Sequence, residues 1–254
     1  MSPLLMEKYF TAAEKIAEKA VVIPVADGRI ATTPFQKFYF RYPLPPKLRR
    51  NAAEGFVRTF LTRAYRRPVQ AEEVRRMMLL AKQVVDDGGS FEHGIRMAVA
   101  ATLVSPYFLF RWELDGAPKN PKAIRSLNEH ELASRLSYFI WNSMPDDALL
   151  GLAQRGQLRK NLSAQIRRML RDAKAQSLVT SFAGQWLQLR DLETIQPDKR
   201  LFGTFNNVIR DDMRRETEML FAHVMHNNRS VVDFLDADYT FVNERLANWY
   251  GLKS

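Results

Sequence analysis

The sequence contains no cysteine. That absence excludes disulfides, thiolate metal sites, a cysteine nucleophile and a covalently attached c-type haem within this chain. Glycine is sparse, 11 in 254 residues, and no phosphate-cradling loop or dinucleotide fingerprint occurs. A nucleophile elbow and a Ser–His–Asp order are missing as well. Long apolar runs are also lacking. The longest uncharged one, Met97 to Phe110, contains Pro106 and is bounded by Arg96 and Arg111. A bilayer span needs roughly 20 apolar residues, so this run reads as a buried helix and no transmembrane segment is expected. Met1 to Phe10 shows no basic lead into an apolar stretch, so no export signal is legible and the compartment stays open.

What is present is ordinary globular material, 46% hydrophobic and 26% charged, in a length that suits one large domain or two small ones. Helical period runs through almost every segment and strand alternation through almost none. The expected fold is all-α: a multi-helix bundle in two packed helical subdomains, with an irregular Pro- and aromatic-rich N-terminal segment. Residues 3–20 read as a helix with Leu5, Tyr9, Ala12, Ala13 and Ile16 on one face. Prolines at 24, 34, 43, 45 and 46 and rings at Phe35, Phe38, Tyr39, Phe40 and Tyr42 then interrupt the period, setting residues 1–46 apart. A first helical domain spans 47–115, with helices over 49–65, 71–86 and from the Ser90 cap to about Val104, restarting at Pro106 through Leu114. Asp115 to Pro121 reads as a linker.

A second helical domain spans 122–251. It opens on Asn128 and Glu131, a near capping box, and Met144-Pro145-Asp146-Asp147 gives a turn and a new cap. Helices follow over 149–155, 162–171, 175–189, 205–227 and 240–250, with Gly156 and Gly251 as stops.

Lys and Arg exceed Asp and Glu by 38 to 28. The excess concentrates in residues 41–82 and 155–174, whose Arg49, Arg50, Arg66, Arg67, Arg167 and Arg168 are the anion-binding candidates. Without a helix-turn-helix glycine, an aromatic–basic recognition motif or zinc-finger spacing, nucleic acid is the disfavoured partner. Arginines that cap helix ends or pair with neighbouring acids explain the same residues.

One helix carries the strongest candidate chemistry. At 100° per residue Asp212, Glu216 and His223 fall within roughly 40° of one another, with His226 on the same side. Two carboxylates and an imidazole on one face are material for a metal or for acid–base work. The competing reading makes Glu216, in the slot between Met213 and Leu220, a semi-buried structural charge closed onto an arginine. Arg135, four residues after Glu131, reads as a parallel register-fixing charge. Asp233, Asp236 and Asp238 fail as a calcium loop, since Phe241 and Ala247 replace the required Gly and Glu. Asp238 or Thr240 as a helix cap is the simpler account. Trp112, Trp141, Trp186 and Trp249 read mainly as packing anchors; His93 and His130 stand alone.

Several strings resemble a bacterial set. Phe60-Leu-Thr-Arg-Ala-Tyr-Arg-Arg-Pro-Val69, Ser90-Phe-Glu-His-Gly-Ile95 and Ser105-Pro-Tyr-Phe-Leu-Phe-Arg111 resemble the domain of unknown function 1595. Glu131 to Trp141, Met144 to Asp147, Gln185-Trp-Leu187, Glu216-Thr217 and Leu235 to Leu246 resemble the domain of unknown function 1592. The resemblance implies a place in large exported proteins of planctomycetes and their relatives, often fused to a c-type cytochrome. It implies an exported, periplasmic or cell-surface setting, haem only as a neighbour, and flanking domains of the same protein or gene set as partners. It also implies that this chain corresponds to the helical middle of a longer protein. It supplies no catalytic residue. The functional expectation is a scaffolding or docking module without independent catalysis and with no cofactor of its own. Two rivals are part of an enzyme passing electrons from a polymer or organic substrate to a cytochrome, and a binder of anionic polymer.

Overall fold

The computed structural model describes residues 2–22, 46–111, 113, 120 and 124–252, with 46–51 as backbone. Most of the Pro- and aromatic-rich segment, the 115–121 linker, Trp112 and the side chains of Arg49 and Arg50 lie outside the described residues. Within them the protein is all-α, with no strand. No helix there is long and apolar enough to cross a membrane. The chain divides into two units, Met1–Glu131 and Leu132–Ser254.

The first unit contains α1 (Pro3–Ala20), α2 (Pro46–Ala64), α3 (Ala71–Asp86), α4 (Phe91–Leu103) and α5 (Pro106–Leu109). Three of these starts have a cause in neighbouring residues. Ser2 caps α1 with Pro3 in its first turn, Gln70 and Glu73 form a capping box for α3, and the Ser90 hydroxyl accepts from the His93 N–H at 3.2 Å. The core joins Ala13, Ala17 and Val21 to Phe56, Val57, Leu61, Val74, Ile95 and Val99. The first helix, set apart by the sequence reading, therefore shares this core. It turns inward through Ala13 and Ala17, while Leu5, Tyr9 and Ile16 are exposed. Two small residues four apart let α1 approach closely, which larger side chains on that face would prevent. Gly94 serves the same end in α4: a Cβ there would lie 2.6 Å from the Ala81 carbonyl oxygen of α3. The α5 helix ends at Leu109 because Phe110 is extended, five residues before the expected end.

The second unit is built from α6 (Glu129–Trp141), α7 (Asp147–Gln154) and α8 (Leu162–Leu170), the last entered through a 3₁₀ turn at Arg159–Asn161. The expected helix over 175–189 breaks into a 3₁₀ turn at Ala173–Ala175, a π-helical stretch at Leu178–Ala183 and the short α9 (Gly184–Trp186). Gln188 then takes a left-handed conformation, φ 55°. After it come α10 (Asn207–His226), α11 (Asp233–Asp236) and α12 (Glu244–Tyr250). The last helix starts at Glu244, four residues later than expected. Its cap is Asn243, whose Oδ1 accepts from the Leu246 N–H at 2.8 Å, and neither Asp238 nor Thr240. Ala133, Ile140, Trp141, Leu149, Leu158 and Met169 form one core cluster, and Leu178, Val179, Ala183 and Phe221 another.

Candidate functional site

The face of α10 that holds Asp212, Glu216 and His223 is where residues 239–250 pack. Asp212 is buried. Its Oδ2 accepts from Arg245 Nε at 2.7 Å, and its Oδ1 from Arg245 Nη2 at 3.0 Å and Asn243 Nδ2 at 2.7 Å. The Arg245 hydrogen bonds, aided by that of Asn243, hold the Asp212 carboxyl below the usual range despite its desolvation. Glu216, half-buried, pairs with no arginine among the described residues: its Oε1 accepts from the Thr240 hydroxyl at 2.7 Å and its Oε2 from the Tyr250 hydroxyl at 2.8 Å. Burial, reinforced by the Glu216 carboxylate, pushes the Tyr250 phenol up to about 12. His223 lies edge-on to Tyr239, ring centroids 5.5 Å apart, and beside Phe241 at 5.1 Å. Its Nδ1 is 3.2 Å from Asn227 Nδ2.

The three side chains share an azimuth but not a point. At 1.5 Å of rise per residue, Asp212 and His223 are about 16 Å apart along the helix axis. Each contacts different residues of the 239–250 segment, so the face works as a clasp. Among the described residues no group of three His, Asp or Glu side chains could hold a metal ion. His226, on the same side, is exposed. Asp233, one of the three aspartates of the rejected calcium cluster, pairs instead with Arg229 at 2.8 Å and accepts from Tyr239 at 3.1 Å.

A second cluster explains the Met144–Asp147 string. The Trp141 ring is buried and its indole N–H donates to the Met169 carbonyl at 3.0 Å. The Arg168 guanidinium lies 5.3 Å and the Lys174 ammonium 4.8 Å from the ring centroid. Arg168 closes on Asp146 with contacts of 2.7 and 3.2 Å. Asp146 Oδ1 also caps α7, accepting from the Leu149 N–H at 2.9 Å. Burial alone would raise the Asp146 carboxyl; Arg168 and the Leu149 N–H outweigh it and the net displacement is downward. One carboxylate thus starts a helix, anchors an arginine and indirectly covers the tryptophan.

Two anion-binding candidates of the first unit are likewise committed internally. Arg66 is only 5% exposed, and its guanidinium donates to the carbonyls of Ala64, Tyr107, Phe108 and Phe110 at 2.7–3.2 Å. It satisfies acceptors around the end of α5 that would otherwise be unpaired. Arg67 makes two contacts with Glu73, 3.0 and 2.7 Å, and lies 4.7 Å from the Tyr107 ring centroid. That pairing holds the Glu73 carboxyl low against the opposing effect of burial. Both guanidiniums are thus already engaged by groups of the fold.

Of the register charges, Glu131 closes the capping box: its carboxylate accepts from the Asn128 N–H at 2.8 Å and from Arg125 at 2.7 Å. In return the Asn128 Oδ1 accepts from the Glu131 N–H at 2.9 Å. Arg135 is exposed rather than semi-buried. His93 is exposed, while burial lowers the pKa of His130.

Sequence reasoning missed a run of rings. Phe139 meets Phe182 at 5.7 Å, Phe182 stacks on Trp186 at 5.8 Å, Trp186 meets Phe234 at 6.1 Å and Phe234 stacks on Phe221 at 4.8 Å. Phe221 is buried, but Phe139 is 59%, Trp186 53% and Phe182 41% exposed. Trp186 is therefore no simple packing anchor. The π-helical stretch adds a residue to the turn that carries Phe182, so a uniform 3.6-residue wheel cannot reveal this run.

These features define a tandem of two small all-α domains held by internal ion pairs, caps and ring contacts. Residues 52–113 match the family described as a protein of unknown function, DUF1595, and residues 127–252 match the one described as a protein of unknown function, DUF1592. The chain finds no match among curated proteins or solved structures.

Proposed function

We propose that this chain is a docking module, not independently catalytic, which orients partner domains of an exported, redox-associated protein linked to a c-type cytochrome. The observation that carries the reading is the exposed ring surface of Phe139, Phe182 and Trp186. A contiguous apolar patch with rings in van der Waals succession is the usual mark of an interaction surface. The engagement of Asp212 and Glu216 by Arg245, Asn243, Thr240 and Tyr250 supports the same reading, because these carboxylates already serve the fold. The cytochrome connection rests on the family resemblance alone.

The test is affinity purification of the chain from its native cells, followed by haem staining of a denaturing gel. A co-purifying band that keeps covalent haem, lost with a Phe139→Ser/Trp186→Ser variant that keeps its helical circular dichroism, is the expected result. Substrate turnover by the purified chain alone, or haem-protein capture insensitive to both substitutions, would overturn the reading.

A further inference from the structure

We infer that the solvent face of α8 and its entry turn, from Lys160 to Arg171, is an electropositive docking face for the carboxylate-rich surface of a partner protein. The inference rests on the docking reading above and adds the chemistry of the partner. Residues 155–174 contain seven Lys or Arg against one Asp. Within that segment Arg168 is neutralised by Asp146, and Asp172 has its carboxylate turned to the Lys174 backbone N–H at 2.9 Å.

Arg155, Lys160, Arg167, Arg171 and Lys174 are exposed. Among the described residues no ion pair joins any of them to a carboxylate. Elsewhere in this unit Arg200 pairs with Asp198, Arg214 with Asp211, Arg229 with Asp233 and Arg245 with Asp212, while Arg190, Lys199 and Arg215, exposed and in no ion pair among the described residues, are scattered over residues 190–215. The 155–174 stretch is thus the densest run of cations without an ion pair in this unit, although Lys174 also acts on the Asp146 carboxylate.

Geometry arranges them further. Met169 is buried, and Ile166 and Leu170 pack on the same core cluster, which turns the opposite side of α8 to solvent. Lys160, Arg167 and Arg171 follow one another at intervals of seven and four, one stripe of a helix. Two features of this stripe work against the isolated fold. Lys160 occupies the entry turn, where the helix dipole favours anions. Arg167 and Arg171 stand four apart, the spacing at which like charges repel. Both costs are relieved when acidic groups arrive from outside.

A protein surface fits better than nucleic acid. No aromatic side chain lies in residues 155–174, and the adjacent Trp141 ring is buried, so the face lacks the aromatic platform on which unpaired bases stack.

The experiment titrates the full chain with poly-L-glutamate and, separately, with duplex DNA of equal total charge, at roughly 20 and 150 mM salt. Poly-L-glutamate is expected to bind, weakening about tenfold at the higher salt. A Lys160→Gln/Arg167→Gln/Arg171→Gln variant is expected to lose about tenfold more. A Lys8→Gln/Lys15→Gln/Lys19→Gln control, which removes the same charge from α1, is expected to bind as wild type. Equal losses in variant and control would show a net-charge effect and overturn the inference. Tighter binding to DNA than to poly-L-glutamate would overturn it in favour of nucleic acid. Should the variant unfold, the wild-type comparison of the two polyanions and the control still decides. Failure here leaves the haem-protein capture through Phe139 and Trp186 unaffected, so the two readings fall separately.

Discussion

The Arg245 guanidinium closes on the Asp212 carboxylate through two hydrogen bonds, 2.7 and 3.0 Å, across 33 residues of chain. This pair, with Asn243 on the same carboxylate, fastens the start of α12 to the side of α10. Replacing Asp212 by Ala leaves Arg245 and Asn243 without their acceptor. Amide exchange over residues 244–250 is expected to accelerate about tenfold, while residues 91–103 of the other unit keep their protection. Unchanged exchange at 244–250 would show that packing alone holds α12.

Arg66 gives a sharper case in the first unit, because its guanidinium is nearly inaccessible and four carbonyls accept from it. Removing a charged donor from a buried site exposes the acceptors' full desolvation cost. Arg66→Ala is expected to destabilise the unit by about 2–4 kcal/mol. Arg66→Lys, which keeps the charge but lacks the planar fork, is expected to recover less than half of that. Denaturant unfolding of both variants tests the order.

Gly94 lies where α4 approaches α3 so closely that a Cβ would meet the Ala81 carbonyl oxygen at 2.6 Å. Alanine raises helix propensity by about 1 kcal/mol, yet here the steric cost wins. Gly94→Ala is expected to lower stability by about 1–3 kcal/mol, as overpacking does. A rise in melting temperature would mean that the helices separate freely.

Stability should fall at both ends of the pH scale. Glu73, Asp146 and Asp212 have folded-state pKa values below their ordinary ones. Their contribution is therefore present above the ordinary carboxylate pKa and lost as pH falls through the lowered one. Glu73→Gln is expected to flatten the acid limb of first-unit unfolding below about pH 4. Tyr250 runs the other way. With its phenol raised to about 12, its contribution is full below the ordinary tyrosine pKa near 10 and disappears as pH climbs through the raised value. Tyr250→Phe is expected to remove the alkaline component of exchange at 244–250 between those values.

Much of the fold was legible because the relevant signals are local. Ser90, Asn128 and Asp146 cap helices with their own side chains, and Gly156 and Gly251 stop them with φ of 64° and 73°. Each acts within three or four residues, so the string of letters contains the whole interaction. The break-up of 175–189 was not legible, since π and 3₁₀ turns differ from α by small shifts that depend on what packs against them.

The candidate site shows the same division. A helical wheel correctly puts Asp212, Glu216 and His223 on one face, but it discards the axial coordinate and says nothing of the segment lying across that face. It therefore offered a point of chemistry where the molecule has a clasp extending about 16 Å. Sequence alone determined that the protein is all-α, where most helices begin and end, and which two families its segments match, because periodicity, caps and family strings are properties of neighbouring residues. Only the tertiary structure decided that Arg66 serves carbonyls, that Arg245 takes Asp212, and that Phe139 and Trp186 face water while α1 turns its alanines inward. Those outcomes depend on which distant segments meet, and burial and charge pairing are set there.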